Sequence, residues 1–135
     1  MTAEKNLKTL MAKMQPALDP RTFVFARLPL NAVLPTGLQP QMWFMEKQGP
    51  TLIVEQEEAE RHAFEYEFTC RMITLRIHSA LDAVGFLAAV TRCLADLEMG
   101  VNPVSGFYHD HLFVPAQQAE LAMQALRRLS QSYQQ

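Results

Sequence analysis

The chain has 135 residues, 49% of them apolar, with 12 Lys and Arg against 14 Asp and Glu for a formal net charge of −2. That length supports one compact domain or two small subdomains, and the apolar share is that of a folded globular protein rather than a disordered one. The slight negative charge, with its basic residues scattered, excludes the clustered Lys and Arg by which proteins neutralise nucleic-acid phosphates or anionic membranes.

Met1 to Lys13 contains Glu4, Lys5, Lys8 and Lys13 and no apolar run of signal-peptide length. No later stretch approaches the roughly 20 apolar residues needed to cross a bilayer, so the expected location is the cytoplasm, with no membrane partner. Leu7, Leu10, Met11, Met14 and Leu18 form the stripe of a short amphipathic helix that Pro16 should end or loosen. A Met stripe at this spacing reads as core rather than as an adaptable groove. After the turn signal Asp19-Pro20, Thr22 to Leu28 predicts a nearly continuous apolar strand.

Pro29 to Pro40 holds three prolines and a glycine and reads as an irregular connection, with a short extended piece at Ala32 to Leu34. Met42 to Lys47 and Thr51 to Glu55 predict a hairpin closed by Gln48-Gly49-Pro50. Glu57, Glu58, Glu60 and Arg61 mark a short charged helix, whose charges suit a solvated face. The first half thus reads helix, strand, strand, strand, helix.

From Tyr66 the chain runs into a second strand region in which Ile73, Leu75 and Ile77 alternate with Thr74, Arg76 and His78. Ser79, with Asp82 three positions on, has the form of a capping box, and Ala83 to Met99 carries a helical stripe of Phe86, Val90, Leu94 and Leu97 that Gly100 should stop. Val101 to Phe107 and His111 to Val114 predict two short strands. Pro115 opens a last helix, with Ala122, Leu126, Leu129 and Tyr133 on one side. Pro103 cannot donate a ladder bond, so its strand should lie at an edge or carry a bulge.

The residues Asp82-Ala83-Val84-Gly85-Phe86-Leu87 at the strand-to-helix junction and Gly100-Val101-Asn102 at the next strand resemble the ACT domain, a ligand-sensing module of the ferredoxin-like fold. Val84 stands where the family usually has Pro. Gly106 to Pro115 looks like a small group of stand-alone ACT-domain proteins with no assigned activity. The resemblance implies an α+β fold, antiparallel sheets with helices on one face, and two ACT-like units in tandem. Their expected bounds are 1–65 and 66–135, with a shared strand near 65–78. No strand follows the last helix, so either an element of the first half completes the second sheet, the favoured reading, or that sheet stays three-stranded.

The first candidate site is the junction from Ser79 to Gly85 facing Asn102. A helix start leaves backbone N–H groups unpaired, a natural seat for a carboxylate, and Gly85 lets a ligand or a strand approach closely. The resemblance implies that amino acids bind here, with Ser79, Leu81, Asp82, Ala83, Val84, Gly85 and Asn102 as ligand contacts. The competing reading is structural: Ser79 and Asp82 cap the helix, Gly85 serves packing and Asn102 sits in a turn.

The second candidate is Tyr108-His109-Asp110-His111. In extended chain His109 and His111 share a side, but zinc takes three or four donors and no third is evident, so no metal site is assigned and His109 is kept only as a ligand contact. Cys70 and Cys93 are isolated thiols, expected buried and reduced. No nucleophile, P-loop or metalloprotease motif is present and no cofactor is implied. The expected function is a non-enzymatic regulatory module that binds a small molecule, an amino acid above all, as a homodimer. The alternative is a structural or protein-interaction module without a ligand.

Overall fold

The computed structural model describes residues 2–134. Its elements are α1 (Leu7–Ala12), β1 (Pro16–Arg27), β2 (Met42–Glu46), β3 (Gly49–Glu55), α2 (Gln56–Arg61), β4 (Glu65–Leu75), α3 (Phe86–Ala95), β5 (Asn102–Ser105), β6 (Asp110–Pro115), a 3-10 turn (Ala116–Gln118) and α4 (Ala119–Gln131). Two compact units emerge, one comprising the residues up to Pro20 and those from Arg71 onward, the other Arg21–Cys70. β1 and β4 run through both. Among the described residues no helix is long and apolar enough to cross a membrane.

In the larger unit the strand order is β1-β4-β6-β5, with β5 and β6 antiparallel. Residues 71–75 start the ferredoxin-like path, α3 crosses to β5, β6 returns and α4 follows. The fourth strand position is filled by residues 16–20, which come from the first half of the chain as expected. Helices α1, α3 and α4 share a core with the sheet through Leu10, Met11, Ile73, Leu75, Val90, Leu112, Val114 and Leu126, all fully buried. Asn6 caps α1 by accepting from the Thr9 amide at 3.0 Å, and Ser130 of α4 donates to the Ala12 carbonyl where α1 ends.

The α1 stripe does not reach Leu18. Gln15 takes a positive φ of 45°, the chain reverses, and Pro16 already belongs to β1. Proline has no N–H for a helix but suits the start of a strand, and the Met14 carbonyl instead accepts from the Arg76 amide at 2.7 Å. Asp19-Pro20, read as a turn, lies inside β1.

Helix α3 is shorter than the stripe suggested. Its exit is a Schellman-type turn in which Glu98 has φ 55°, the Met99 amide reaches the Leu94 carbonyl and the Glu98 amide reaches Ala95. The left-handed residue is therefore Glu98 and not the expected Gly100.

In the smaller unit the order is β2-β3-β1-β4, with β2 and β1 each antiparallel to β3. Val24, Ala26, Leu52 and Val54 pack with Ala59 of α2, and Ala32, Leu34 and Leu38 lie against them. The connection between β1 and β2 forms neither a strand at Ala32 to Leu34 nor a helix. The hairpin closes on Lys47-Gln48, one register earlier than expected, because Gly49 and Pro50 already pair with Glu46 and Met45. Gly49 has φ 138°, and a Cβ there would fall 2.3 Å from the Leu28 carbonyl oxygen, so β3 begins where only glycine fits.

Candidate functional site

The chain between β4 and α3 is pinned from both sides. The Glu4 amide donates to the His78 carbonyl and the Ala80 amide to the Glu4 carbonyl, both at 2.8 Å. This holds Ser79 inward, 7% exposed, where its Oγ donates to Asp110 Oδ2 at 2.8 Å. Asp110, 6% exposed at the start of β6, accepts a second bond at Oδ1 from Ser105 Oγ, 2.7 Å away. Two hydroxyls thus hold a buried carboxylate that retains lone pairs for a further donor.

Ser79 and Asp82 do not form a capping box. Helix α3 begins seven residues after Ser79, at Phe86, and its N-cap is Gly85 with φ 92° and no side-chain cap. The chain spends residues 80–84 on a turn, closed by the Ala83 amide on the Ala80 carbonyl. The amides of Phe86, Leu87 and Ala88 therefore open the helix without intrahelical partners. A cavity of about 110 Å³ lies against these residues and is lined also by Ser79, Ser105 and Asp110. Its rim carries partial positive charge from the helix start on one side and a carboxylate on the other.

Of the residues expected to contact a ligand, Ser79, Leu81, Ala83 and Gly85 line this cavity, whereas Asp82, Val84, Asn102 and His109 do not. Asp82 is exposed and bonded to Lys5 Nζ at 3.1 Å, which holds its carboxyl below the usual range. Val84 points to solvent. Asn102 is exposed on β5, opposite Phe113 in register. His109 precedes β6, and its carbonyl accepts from the Gly106 amide. Ala80, Phe86, Leu87, Ala88, Ser105 and Asp110 also line it and were not among the expected ligand contacts; for Asp110, an acid between two histidines at a strand start was the available signal.

The histidines do not converge on a metal. His111 Nδ1 sits 2.9 Å from Thr74 Oγ1, and its pKa is lowered chiefly by burial, then by His109. His78 packs its ring 5.5 Å from that of Tyr108 and 6.2 Å from Phe107. Among the described residues no three His, Cys, Asp or Glu side chains are grouped to hold a metal. Burial pushes the Cys70 thiol up to about 12, and Cys93 is raised by burial and then by Asp96, so neither is an activated nucleophile.

A family model of the ACT domain matches residues 2–71 and a second ACT-domain model matches residues 67–128. Neither family is catalytic; ACT domains are regulatory modules that typically bind small molecules. Among solved structures, a Vibrio cholerae protein of unknown function described as a possible transport protein is 35% identical, with 93% of this chain and 97% of that one covered at a TM-score of 0.83. An Agrobacterium tumefaciens protein shares 17% identity over 82% and 84% at TM-score 0.70. The regulatory subunit of aspartate kinase from Thermus thermophilus shares 13% identity over 87% and 97% at 0.66, a likeness of fold alone. No curated protein matches the chain. The chain belongs to the ACT-domain family, with two ACT domains in tandem.

Proposed function

We propose that this chain is a cytoplasmic, non-enzymatic amino-acid sensor that works as a homodimer and reports its ligand through a change in self-association or partner binding. The observation that carries the reading is the pairing, across one cavity, of the open amides of Phe86, Leu87 and Ala88 with the hydroxyl-bound carboxylate of Asp110. A zwitterionic α-amino acid complements both ends: its carboxylate suits the helix start and its ammonium suits Asp110. Ser79, Leu81, Ala83 and Gly85 shape the wall between them, while Asp82, Val84, Asn102 and His109 lie outside this set. A cavity of about 110 Å³, well under the roughly 300–1,000 Å³ of drug-sized sites, restricts the ligand to a small side chain.

Thermal unfolding with each of the twenty amino acids tests this. Ligand at about a hundred times its dissociation constant adds roughly 2.7 kcal/mol of stability, several degrees in Tm. Glycine, alanine or serine is expected to give the shift, and Asp110→Asn to remove it, with Asp82→Asn as a neutral control. The second reading, an interaction module without ligand, draws on the exposed apolar residues of β2. A flat response to all twenty amino acids favours it.

A further inference from the structure

Residues 2–6 precede α1 and belong to no helix or named strand, yet Glu4 lies beside Ser79 as a parallel bridge. Both backbone groups of Glu4 are committed to the chain between β4 and α3. Its N–H donates to the His78 carbonyl and its C=O accepts from the Ala80 amide, so the two bonds straddle Ser79.

The near side of this bridge is firm. Glu4 Oε2 accepts from the Lys5 and Asn6 amides at 3.1 and 2.9 Å, Asn6 caps α1, and Leu10 and Met11 seat α1 in the core. The far side has little else to hold it. The Ala83 amide on the Ala80 carbonyl ties residues 80–83 to each other and not to the rest of the unit. The Lys5 and Asp82 ion pair joins side chains that are 67% and 73% exposed, and such pairs are worth little in water. Ser79, Ala80, Leu81 and Ala83 are therefore kept on the cavity wall by Glu4 on one side of Ser79 and by Asp110 on the other.

We infer that Glu4 is a positioning residue of the amino-acid site, and that it acts through its backbone rather than its carboxylate. The bridge to His78 and Ala80 sets Ser79 and the turn after it against Asp110, so that the cavity stands formed before a ligand enters. This rests on the reading of the cavity given above. A protein whose binding-competent form is partly populated binds more weakly by that fraction, so loosening the bridge costs affinity. Linkage makes the effect reciprocal. An amino acid seated in the cavity must hold Glu4 more firmly in place, although Glu4 is not among the residues that line the cavity.

Two measurements on the full chain test this, with L-alanine as the probe, or whichever of the twenty amino acids raises Tm most. In calorimetric titration Glu4→Pro, which lacks the N–H that the His78 carbonyl accepts, should weaken binding about two- to tenfold, the range that loss of one backbone bond allows. Glu4→Ala keeps the N–H and discards the carboxylate, and should bind as the wild type does. In amide exchange of the wild type followed by NMR, a saturating concentration of the probe should slow the Glu4 amide by a comparable factor, a readout that stands even where Glu4→Pro folds poorly. A folded Glu4→Pro with wild-type affinity overturns this role of Glu4 alone. So does a Glu4→Ala that loses as much as Glu4→Pro, or a Glu4 amide whose exchange ignores the probe. A wild-type chain that answers none of the twenty amino acids overturns the reading of the site and this inference with it.

Discussion

Asp110 Oδ2 accepts from Ser79 Oγ at 2.8 Å across 31 residues of chain, with both side chains buried. That bond ties the entry to α3 to the first residue of β6. Asp110→Ala removes two hydrogen bonds to a charged acceptor and strands the Ser79 hydroxyl without a partner. The expected loss is about 2–4 kcal/mol, read as a lower urea midpoint with unchanged slope. Ser105→Ala, which removes the half-exposed bond, should cost less, about 1 kcal/mol.

His111 sets a pH dependence. Its folded pKa lies below the ordinary 6.5 because burial disfavours the imidazolium. Below pH 6.5 the unfolded chain therefore binds the proton that the folded chain resists, so this contribution is present above pH 6.5 and is lost as pH falls through the folded value. Tm measured from pH 8 downward should fall more steeply in the wild type than in His111→Asn.

Cys70 gives the opposite slope at alkaline pH. Its thiol is held near 12 against 9.0, and its Sγ donates to the Phe23 carbonyl. The unfolded chain ionises first, so stability present below pH 9 is lost as pH rises toward 12. At neutral pH a thiol reagent should label Cys70 only at the rate of unfolding, and Cys93, half-buried, sooner.

The glycines separate by conformation. Gly49→Ala places a Cβ against the Leu28 carbonyl and should cost about 3 kcal/mol or more. Gly85→Ala meets only ordinary contact with Leu7 but must hold φ 92°, for about 1–3 kcal/mol. Gly100→Ala meets nothing within 4 Å and should be nearly neutral. Glu98→Gly, at the left-handed exit of α3, should stabilise by about 1 kcal/mol. Thermal denaturation of the four variants ranks them.

The elements with strong periodicity were legible in the sequence. The alternation of Ile73 and Leu75 and the stripe of Phe86, Val90 and Leu94 predict β4 and α3, and the ACT resemblance supplied their order. Boundaries set by tertiary contacts were not. Pro16 and Pro20 signal breaks by local chemistry, yet both sit in a strand whose entry Arg76 pins through the Met14 and Gln15 carbonyls and whose Asp19 carbonyl accepts from Arg71 Nε. Ser79 and Asp82 have capping-box spacing, but Asp110 claims the hydroxyl and Lys5 the carboxylate, and the helix waits for Gly85. The cavity's acidic end was hidden for the same reason. Nothing local marks Asp110 as the partner of a serine 31 residues earlier.

The passage of β1 and β4 through both units bears on how this protein can be cut. A fragment starting near residue 66 keeps α3, β5, β6 and α4 but discards Leu10, Met11 and Met14, all fully buried in that same core. Residues 1–65 in turn leave α1 without the helices it packs on. Neither half of the chain keeps that core complete, so dissecting this protein calls for a permuted chain whose new termini open elsewhere, rather than a scissor cut at its midpoint.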